Sequence, residues 1–597
     1  MAYRAPVRDI GFTLKHVAGL APALDEGRFP DLSEDLVDAI LQEAGRFATE
    51  EIAPLNGPGD RHGTPLADGA VTMPPGWKQV YRRWIEGGWN GLTADPEFGG
   101  QGLPLSLYVA TLEMWNSGSL AYGIGPTLTV GAIEAIDRHA TDALKRIYLG
   151  KLVSGEWMGT MNLTEPQAGS DLNALRARAE RAGDGSYRIF GQKIFITYGE
   201  HDLTENIIHL VLARLPDAPA GTRGLSLFLV PKFLVGDDGA LGSRNDVFCS
   251  GVEHKLGIHA SPTCTMIFGD GHKGSEPGAV GFLIGEENRG LACMFTMMNN
   301  ARLAVGIQGV AAAEAACQLA VAYALERRQG RAAGHTGAAM SPIAEHPDIR
   351  RNLMTMKTLT QAVRAICYSC AMAIDRARLS DGADKTFWQE RANLITPVAK
   401  AFSTDIGVEV ASLGVQVHGG MGYMEETGAA QILRDARIAP IYEGTNGIQA
   451  IDLVTRKLPQ SGGACIAAYI DELKAVADAV LASNQPAFGE TGAELTKAIA
   501  ALEDTTAWLL ETMAGGRNDA ALAGATPYLR LFGLTAGGAC LAKAALARDA
   551  SDAPSASVPL ARFFAENLLA ETAALQSAVT GGAAAILAIE ADKLQSA

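Results

Sequence analysis

From Leu32 to about Ile147 apolar residues recur at helical spacing: Leu36, Ile40, Leu41, Ala44 and Phe47 fall on one face, three or four positions apart. Further helices are predicted from Trp77 through Trp84, Leu105 through Trp115 and Val130 through His139, interrupted by Phe98-Gly99-Gly100-Gln101-Gly102-Leu103-Pro104. Near Trp157 the period shortens. Tyr187 to Phe190 and Gln192 to Thr197, set off by Asp184-Gly185 and Gly191, predict strands joined by tight turns. Ile207 to Ala213 and Leu225 to Val230 are apolar runs of strand length. From Leu291 long helices return, over about Asn300 to Arg327, Asp348 to Leu379 and Trp388 to Val417, and their short connections imply a bundle. Leu458-Pro459-Gln460-Ser461-Gly462-Gly463 has a linker composition, and the Ala-rich remainder predicts at least four helical segments broken near Gly489, Gly515-Gly516 and Ala553-Pro554. Residues 1–30 show no readable pattern.

These changes divide the 597 residues into a lead-in (1–34), an N-terminal helical domain (35–155), a middle β domain (156–285), a helical-bundle domain (286–460) and an additional C-terminal helical domain (461–597). The fold class is multidomain α+β, since a chain this long exceeds one core. A formal charge of -16 argues against broad binding to nucleic acid or an anionic membrane. It leaves room for an anionic small ligand held by arginines and backbone N–H groups.

Eight scattered cysteines suggest reduced thiols and a cytoplasmic setting. Cys367 and Cys370 form a C-x-x-C, but within a helical pattern (Ala362, Ile366, Ala371, Ile374), which favours buried small residues over a redox pair. No metal site is expected: His254 and His259, five apart, would not share a helix face. Residues 1–20 lack the continuous apolar core of a secretory signal. No window of about 20 residues reads as apolar enough to span a bilayer. The nearest, Ala573 to Ile589, reads as a closely packed helix.

Candidate chemistry gathers at Ile441-Tyr442-Glu443-Gly444-Thr445-Asn446-Gly447. Pro440 cannot continue the preceding helix, the glycines permit sharp turns, and Thr445 or Asn446 can cap a new helix. Glu443 is therefore held on a short loop that another molecule can approach. By itself it would be a solvated loop glutamate assisting a helix dipole. A second stretch, Met161 to Asp171, joins the helical and β regions, and Pro166 and Gly169 leave its backbone N–H groups free for a ligand. Phe195, two residues from Thr197, offers a face for a flat ring or for the core. Gln416 to Tyr423 ends a helix with three glycines in four positions, more than a cap requires; His418 there reads as structural.

Leu163-Thr164-Glu165-Pro166 through Asp171, Gly191-Gln192-Lys193 through Thr197, Glu326-Arg327-Arg328-Gln329, Gln416 through Tyr423 and Tyr442-Glu443-Gly444-Thr445 occur in the order found in acyl-CoA dehydrogenases. The chain resembles that family over roughly residues 35–457. Residues 201–206 and Met297 to Leu303 resemble a long bacterial branch that includes dehydrogenases of 3-methylmercaptopropionyl-CoA.

The resemblance implies a helical domain, a β-barrel-like domain and a four-helix bundle, with FAD as cofactor. It implies that Leu163, Thr164, Phe195 and Thr197 border the flavin ring. Arg327, Gln329, Gln416 and Gly420 would hold pyrophosphate and adenosine across a subunit boundary, and Thr445 would touch the cofactor beside Glu443. Ser170, Arg302, Tyr442 and Gly444 would lie on the acyl-CoA side. The implied reaction is α,β-dehydrogenation of an acyl-CoA thioester: Glu443 removes the pro-R α-proton while the β-hydride passes to flavin N5. Electron-transfer flavoprotein is the implied acceptor, and a homodimer the implied assembly, with a tetramer as the alternative.

Phe195, Tyr198 and Gly447 depart from the commoner tryptophan, asparagine and glutamine, and Gln329-Gly330-Arg331 from the commoner Gln-Phe-Gly. Two other readings share the fold. An acyl-CoA oxidase would pass electrons to O₂. A DNA-binding flavoprotein would need a basic C-terminal region, whereas acidic side chains outnumber basic ones by about two to one after residue 460.

Overall fold

The computed structural model describes residues 3–272 and 276–595, and of residues 295–298 the backbone alone. The Met297-Met298 side chains of the branch resemblance thus lie outside the described residues. The chain forms two units: Thr49–Pro104 with Gly118–Ala301, and Met1–Ala48 with Leu105–Ser117 and Arg302–Ala597.

The first of these includes α1 (Leu120–His139), α2 (Asp142–Ser154) and an eight-stranded sheet: β1 (Trp157–Asn162), β2 (Arg178–Arg181), β3 (Tyr187–Thr197), β4 (Asn206–Arg214), β5 (Leu225–Pro231), β6 (Val247–Val252), β7 (Thr263–Phe268) and β8 (Ala279–Ile284). Their order is β6-β7-β3-β8-β5-β4-β1, and β2 pairs with both β3 and β4. That double pairing closes the ring β3-β8-β5-β4-β2 into a small barrel, and closure removes exposed edges. Ala179, Ile189, Val211, Phe228, Val230 and Ala279 fill one core cluster. The other face of β4 and β5 packs with α1 and α2 through Leu210, Leu227, Ala132, Ile136 and Leu149. Buried on both faces, β4 and β5 read as continuous apolar runs rather than alternating ones.

Gly191 does not separate two strands as the sequence suggested. It lies inside β3 at φ +135, where a Cβ would come within 3.0 Å of Ala177. The glycine therefore permits close strand approach, not a turn. The tight turn is the preceding one, at Gly183 and Gly185.

The second unit is helical. α3 (Gly290–Glu326) enters it from the other unit, followed by α4 (Pro347–Arg378), α5 (Gly382–His418), α6 (Ala429–Ala436) and α7 (Asn446–Asp452). Small residues set the close crossings: a Cβ at Gly306 would meet the carbonyl oxygen of Ala399 at 2.4 Å. The C-terminal helices pack onto this bundle. In α8 (Ala525–Leu546), Gly533 lies against Phe402 of α5 and Gly537 against Ala362 of α4. Cys367 and Cys370 are buried in α4, close to Ser403 (3.3 Å) and Thr396 (3.5 Å).

Three expectations are corrected. The lead-in is ordered: Ile10, Leu14 and Leu20 are fully buried, and Arg8 donates to the carbonyls of Asp552 and Ala553 at 3.0 Å. Its short helices were hidden because few residues carry the period. The stretch from Ala573 to Ile589 breaks at Gly582 into two helices and leaves Ile586 and Leu587 57% exposed, so it is not one closely packed helix. Two helices, Asn299–Glu326 and Ala525–Leu546, are long and apolar enough to cross a membrane by length and composition. They are mostly buried in the protein, as alanine-rich core helices are.

Candidate active site

In the helical unit, Glu443 stands between α6 and α7 with a left-handed backbone, φ +56, followed by Gly444 at φ +80. For glutamate that conformation costs on the order of 1–2 kcal/mol and must be held by its surroundings. Several groups hold it. Thr445 caps α7, its hydroxyl accepting from the Ile448 N–H at 3.3 Å. Gln449 Nε2 donates to the carbonyls of Glu443 and Gly444, both at 3.3 Å. A Cβ at residue 444 would come within 2.8 Å of that amide, so glycine is required by contact as well as by φ. Lys400 of α5 donates to the Gly444 carbonyl at 3.0 Å. Tyr442 bonds through its hydroxyl to Gln308 of α3.

Burial raises the Glu443 pKa above the ordinary carboxylate value, while Arg302 and Lys400 pull it back. Arg302, 7% exposed, is itself held by Asp452 of α7 at 3.2 Å. The result is a carboxylate more basic than a free one, facing two cations that favour its charged form. Burial likewise pushes Tyr442 up, with Glu443 adding to the shift.

In the β unit, the loop after β1 is stapled to β3. Lys193, fully buried, donates to the Leu163 carbonyl at 3.0 Å and to Glu165 at 2.8 Å. Glu165 also accepts from the N–H groups of Arg176 (2.7 Å) and Ala177 (3.0 Å), and Ile194 N–H donates to the Thr164 carbonyl at 2.9 Å. Leu163 and Thr164 are thus brought beside β3, each half-buried. A bulge in the β3–β7 pairing lies opposite Cys264 and Met266. There Phe195 takes φ +59 and turns outward, 58% exposed. An exposed aromatic on a strained bulge is aimed, since a bulge redirects side chains. Tyr198 turns inward at φ +52, bonds the Ala121 carbonyl at 2.8 Å and packs on Gly125. Thr197 lies between these two anchors, and Ser170 is exposed on the loop after β1.

Arg327 and Gln329 follow the end of α3, Gln416 lies in the last turn of α5 and Gly420 just beyond it, all exposed. The two helix ends are joined by the stacked rings of Tyr323 and His418, 4.4 Å apart. His418 Nδ1 sits 2.7 Å from the Gly414 carbonyl, a structural arrangement. Around Gly420 no atom comes within 4 Å of a Cβ position, whereas Gly422 is pressed against Val415. Of the glycines, Gly420 offers open backbone, and Gly422 serves packing. Arg302 lies on α3, and Arg327 just past its end lies 25 residues on, or about 37 Å at 1.5 Å per residue. The Arg327 group is therefore remote from Glu443 within a chain.

The sequence reading did not find Lys400, Gln449, Gln308, Asp452 or the Glu165–Lys193 pair. The lone charge in an apolar run was the available signal, at Ala399-Lys400-Ala401 in a helix and at Lys193-Ile194 in a strand.

A half-buried carboxylate on a strained loop, a separate β unit with an outward aromatic, and a long-helix bundle define the class. Family models match in order: the acyl-CoA dehydrogenase N-terminal domain over 35–156, the middle domain over 160–270, the C-terminal domain over 288–458 and an acetyl-CoA dehydrogenase C-terminal-like domain over 467–590. The chain belongs to the acyl-CoA dehydrogenase family and is an enzyme of that type. It is 45% identical over 587 residues to 3-methylmercaptopropionyl-CoA dehydrogenase of Ruegeria pomeroyi, covering 97% of this chain and 98% of that one. It is 35% identical over 510 residues to a butyryl-CoA dehydrogenase of Syntrophomonas wolfei, covering 84% and 82%. An acyl-CoA dehydrogenase of Bacillus anthracis complexed with FAD shares the fold, with a TM-score of 0.71 at 20% identity over 95% and 91% of the two chains.

Proposed function

We propose that the protein oxidises a short-chain acyl-CoA to the 2-enoyl-CoA with FAD, with 3-methylmercaptopropionyl-CoA as the favoured substrate and Glu443 as the base. The observation that carries the reading is the setting of Glu443: half-buried, raised in pKa by desolvation against the pull of Arg302 and Lys400, and fixed by its neighbours on a left-handed turn. The substrate preference rests on the likeness to the Ruegeria pomeroyi enzyme over nearly the whole of both chains.

The residues fit a flavin. The outward Phe195, with Leu163, Thr164 and Thr197, would border its ring, and Thr445 would touch it beside Glu443. Gly420 leaves its backbone open, and with Gln416, Arg327 and Gln329 would take the pyrophosphate and adenosine of a partner subunit's cofactor. The separation of the Arg327 group from Glu443 supports that division between subunits. When bound, FAD supplies the acceptor for the β-hydride.

The chain's own part is the proton. A thioester α-proton is far too weakly acidic for a free carboxylate, so the base must be strengthened and the developing enolate oxygen met by donors. Burial supplies the first. The Glu443 backbone N–H, fixed by the turn, would supply one donor. Tyr442, Gly444, Arg302 and Ser170 are proposed on the acyl-CoA side. Electron-transfer flavoprotein as acceptor, a homodimer and a cytoplasmic setting rest on the family resemblance and the free cysteines. Anaerobic mixing with a panel of acyl-CoAs tests the reading. Fastest flavin bleaching by 3-methylmercaptopropionyl-CoA supports the preference, and no bleaching by any acyl-CoA contradicts the activity.

A further inference from the structure

We infer that Lys400 is a positioning residue for the base: its ammonium holds the Glu443 turn in place. The inference rests on Glu443 being the base.

Lys400 projects from the middle of α5 and is fully buried, an unusual place for a lysine. Its ammonium makes two hydrogen bonds, to the Gly444 carbonyl at 3.0 Å and to Asn446 Oδ1 at 2.8 Å. Both partners lie just after Glu443. Asn446 Nδ2 in turn donates to the Ala401 carbonyl (3.0 Å), next to Lys400, and to Thr404 Oγ1 (3.0 Å) and Asp405 Oδ1 (2.8 Å), one turn farther along α5. The turn is therefore fastened to one helix by a lysine and an asparagine acting together. Without these bonds little else on α5 would oppose relaxation of the strained Glu443 backbone.

The charge has a second effect. The charged groups that act on Lys400 are Asp405, Glu443 and Arg302; Arg302 and Lys400 are the cations that act on Glu443. Burial pushes Lys400 down to about 8, against the pull of the two carboxylates. It therefore remains charged through neutral pH and lowers the pH at which Glu443 ionises.

Two variants separate the roles, each measured for kcat, KM and pH profile with an acyl-CoA that the unaltered protein oxidises. If the unaltered protein oxidises none, the proposed function fails, and not this inference alone. Lys400→Gln removes the charge and weakens the clamp. Its kcat is expected to fall about 10- to 100-fold, with KM changed less, and the acid limb is expected to move to higher pH. Asn446→Ala keeps the cation and loosens the clamp: kcat falls with the acid limb in place. Hydrogen exchange at residues 444–447 should quicken in both. Wild-type kcat in either folded variant, or a Lys400→Gln acid limb at the wild-type pH, overturns the inference. If Lys400→Gln does not fold, Asn446→Ala decides it.

Discussion

Glu443 combines two costs, a left-handed backbone and desolvation of a half-buried carboxylate. Both are consistent with function stored as strain and altered basicity. A pH dependence follows. A base acts only when ionised, and burial raises the Glu443 pKa. Activity should therefore fall as pH drops through a value above that of a free glutamate, and kcat/KM against pH should show this acid limb. A limb at or below the free-glutamate value would contradict the account. The residues flanking Glu443 were legible because Pro440, Gly444 and Thr445 each have a strong local meaning. Lys400 was not: 43 residues away in sequence, it reads locally as a helix lysine, and only tertiary packing brings it to the turn.

At the scale of elements, β3 carries the buried Lys193 that fixes the preceding loop. Burial alone would raise Glu165, yet the Lys193 charge and the hydrogen bonds it accepts bring it below its ordinary value. Burial lowers Lys193 to about 8. Lys193→Met leaves Glu165 buried without its cation, a change that costs about 3–5 kcal/mol in such settings. Chemical denaturation should register that loss, and Lys193→Met with Glu165→Met should recover part of it. The ends of the long helices were legible to within a few residues, but three of their starts were not: the helices expected from Asn300, Trp388 and Val130 begin at Gly290, Gly382 and Leu120. The strands were less so. Gly191 misled because a glycine in a strand signals either a turn or a close approach, and only Ala177 across the pairing distinguishes them. The bulge at Phe195 has no local sequence mark at all.

Across the whole molecule, an ionic cluster, buried at Arg364, Glu113 and Glu314 and half-buried at Lys357 and Asp9, ties the N-terminal segment to the bundle. Arg364, fully buried, donates to Glu113 at 2.9 Å and to Glu314 at 2.8 Å, and Lys357 bonds Asp9 at 2.8 Å. Burial would raise Glu314, but Lys357 and Arg364 pull it down to about 2. Because its folded pKa lies below the ordinary 4.5, its stabilisation is complete above that value and lost as pH falls toward 2. Denaturant midpoints should therefore decline over that window, and less steeply in Glu314→Gln. The domain order was legible from the change of period. How the lead-in and the C-terminal helices pack was not, because those contacts join residues hundreds of positions apart, as in Arg8 with Asp552.

The most direct test of Glu443 as the base is rapid anaerobic mixing of the flavin-loaded protein and its Glu443→Gln variant with 3-methylmercaptopropionyl-CoA, following the flavin colour. The account predicts rapid bleaching by the unaltered protein and a rate lower by about 10²–10⁴-fold in the variant, which still binds the thioester. Equal bleaching rates in the two proteins would contradict it.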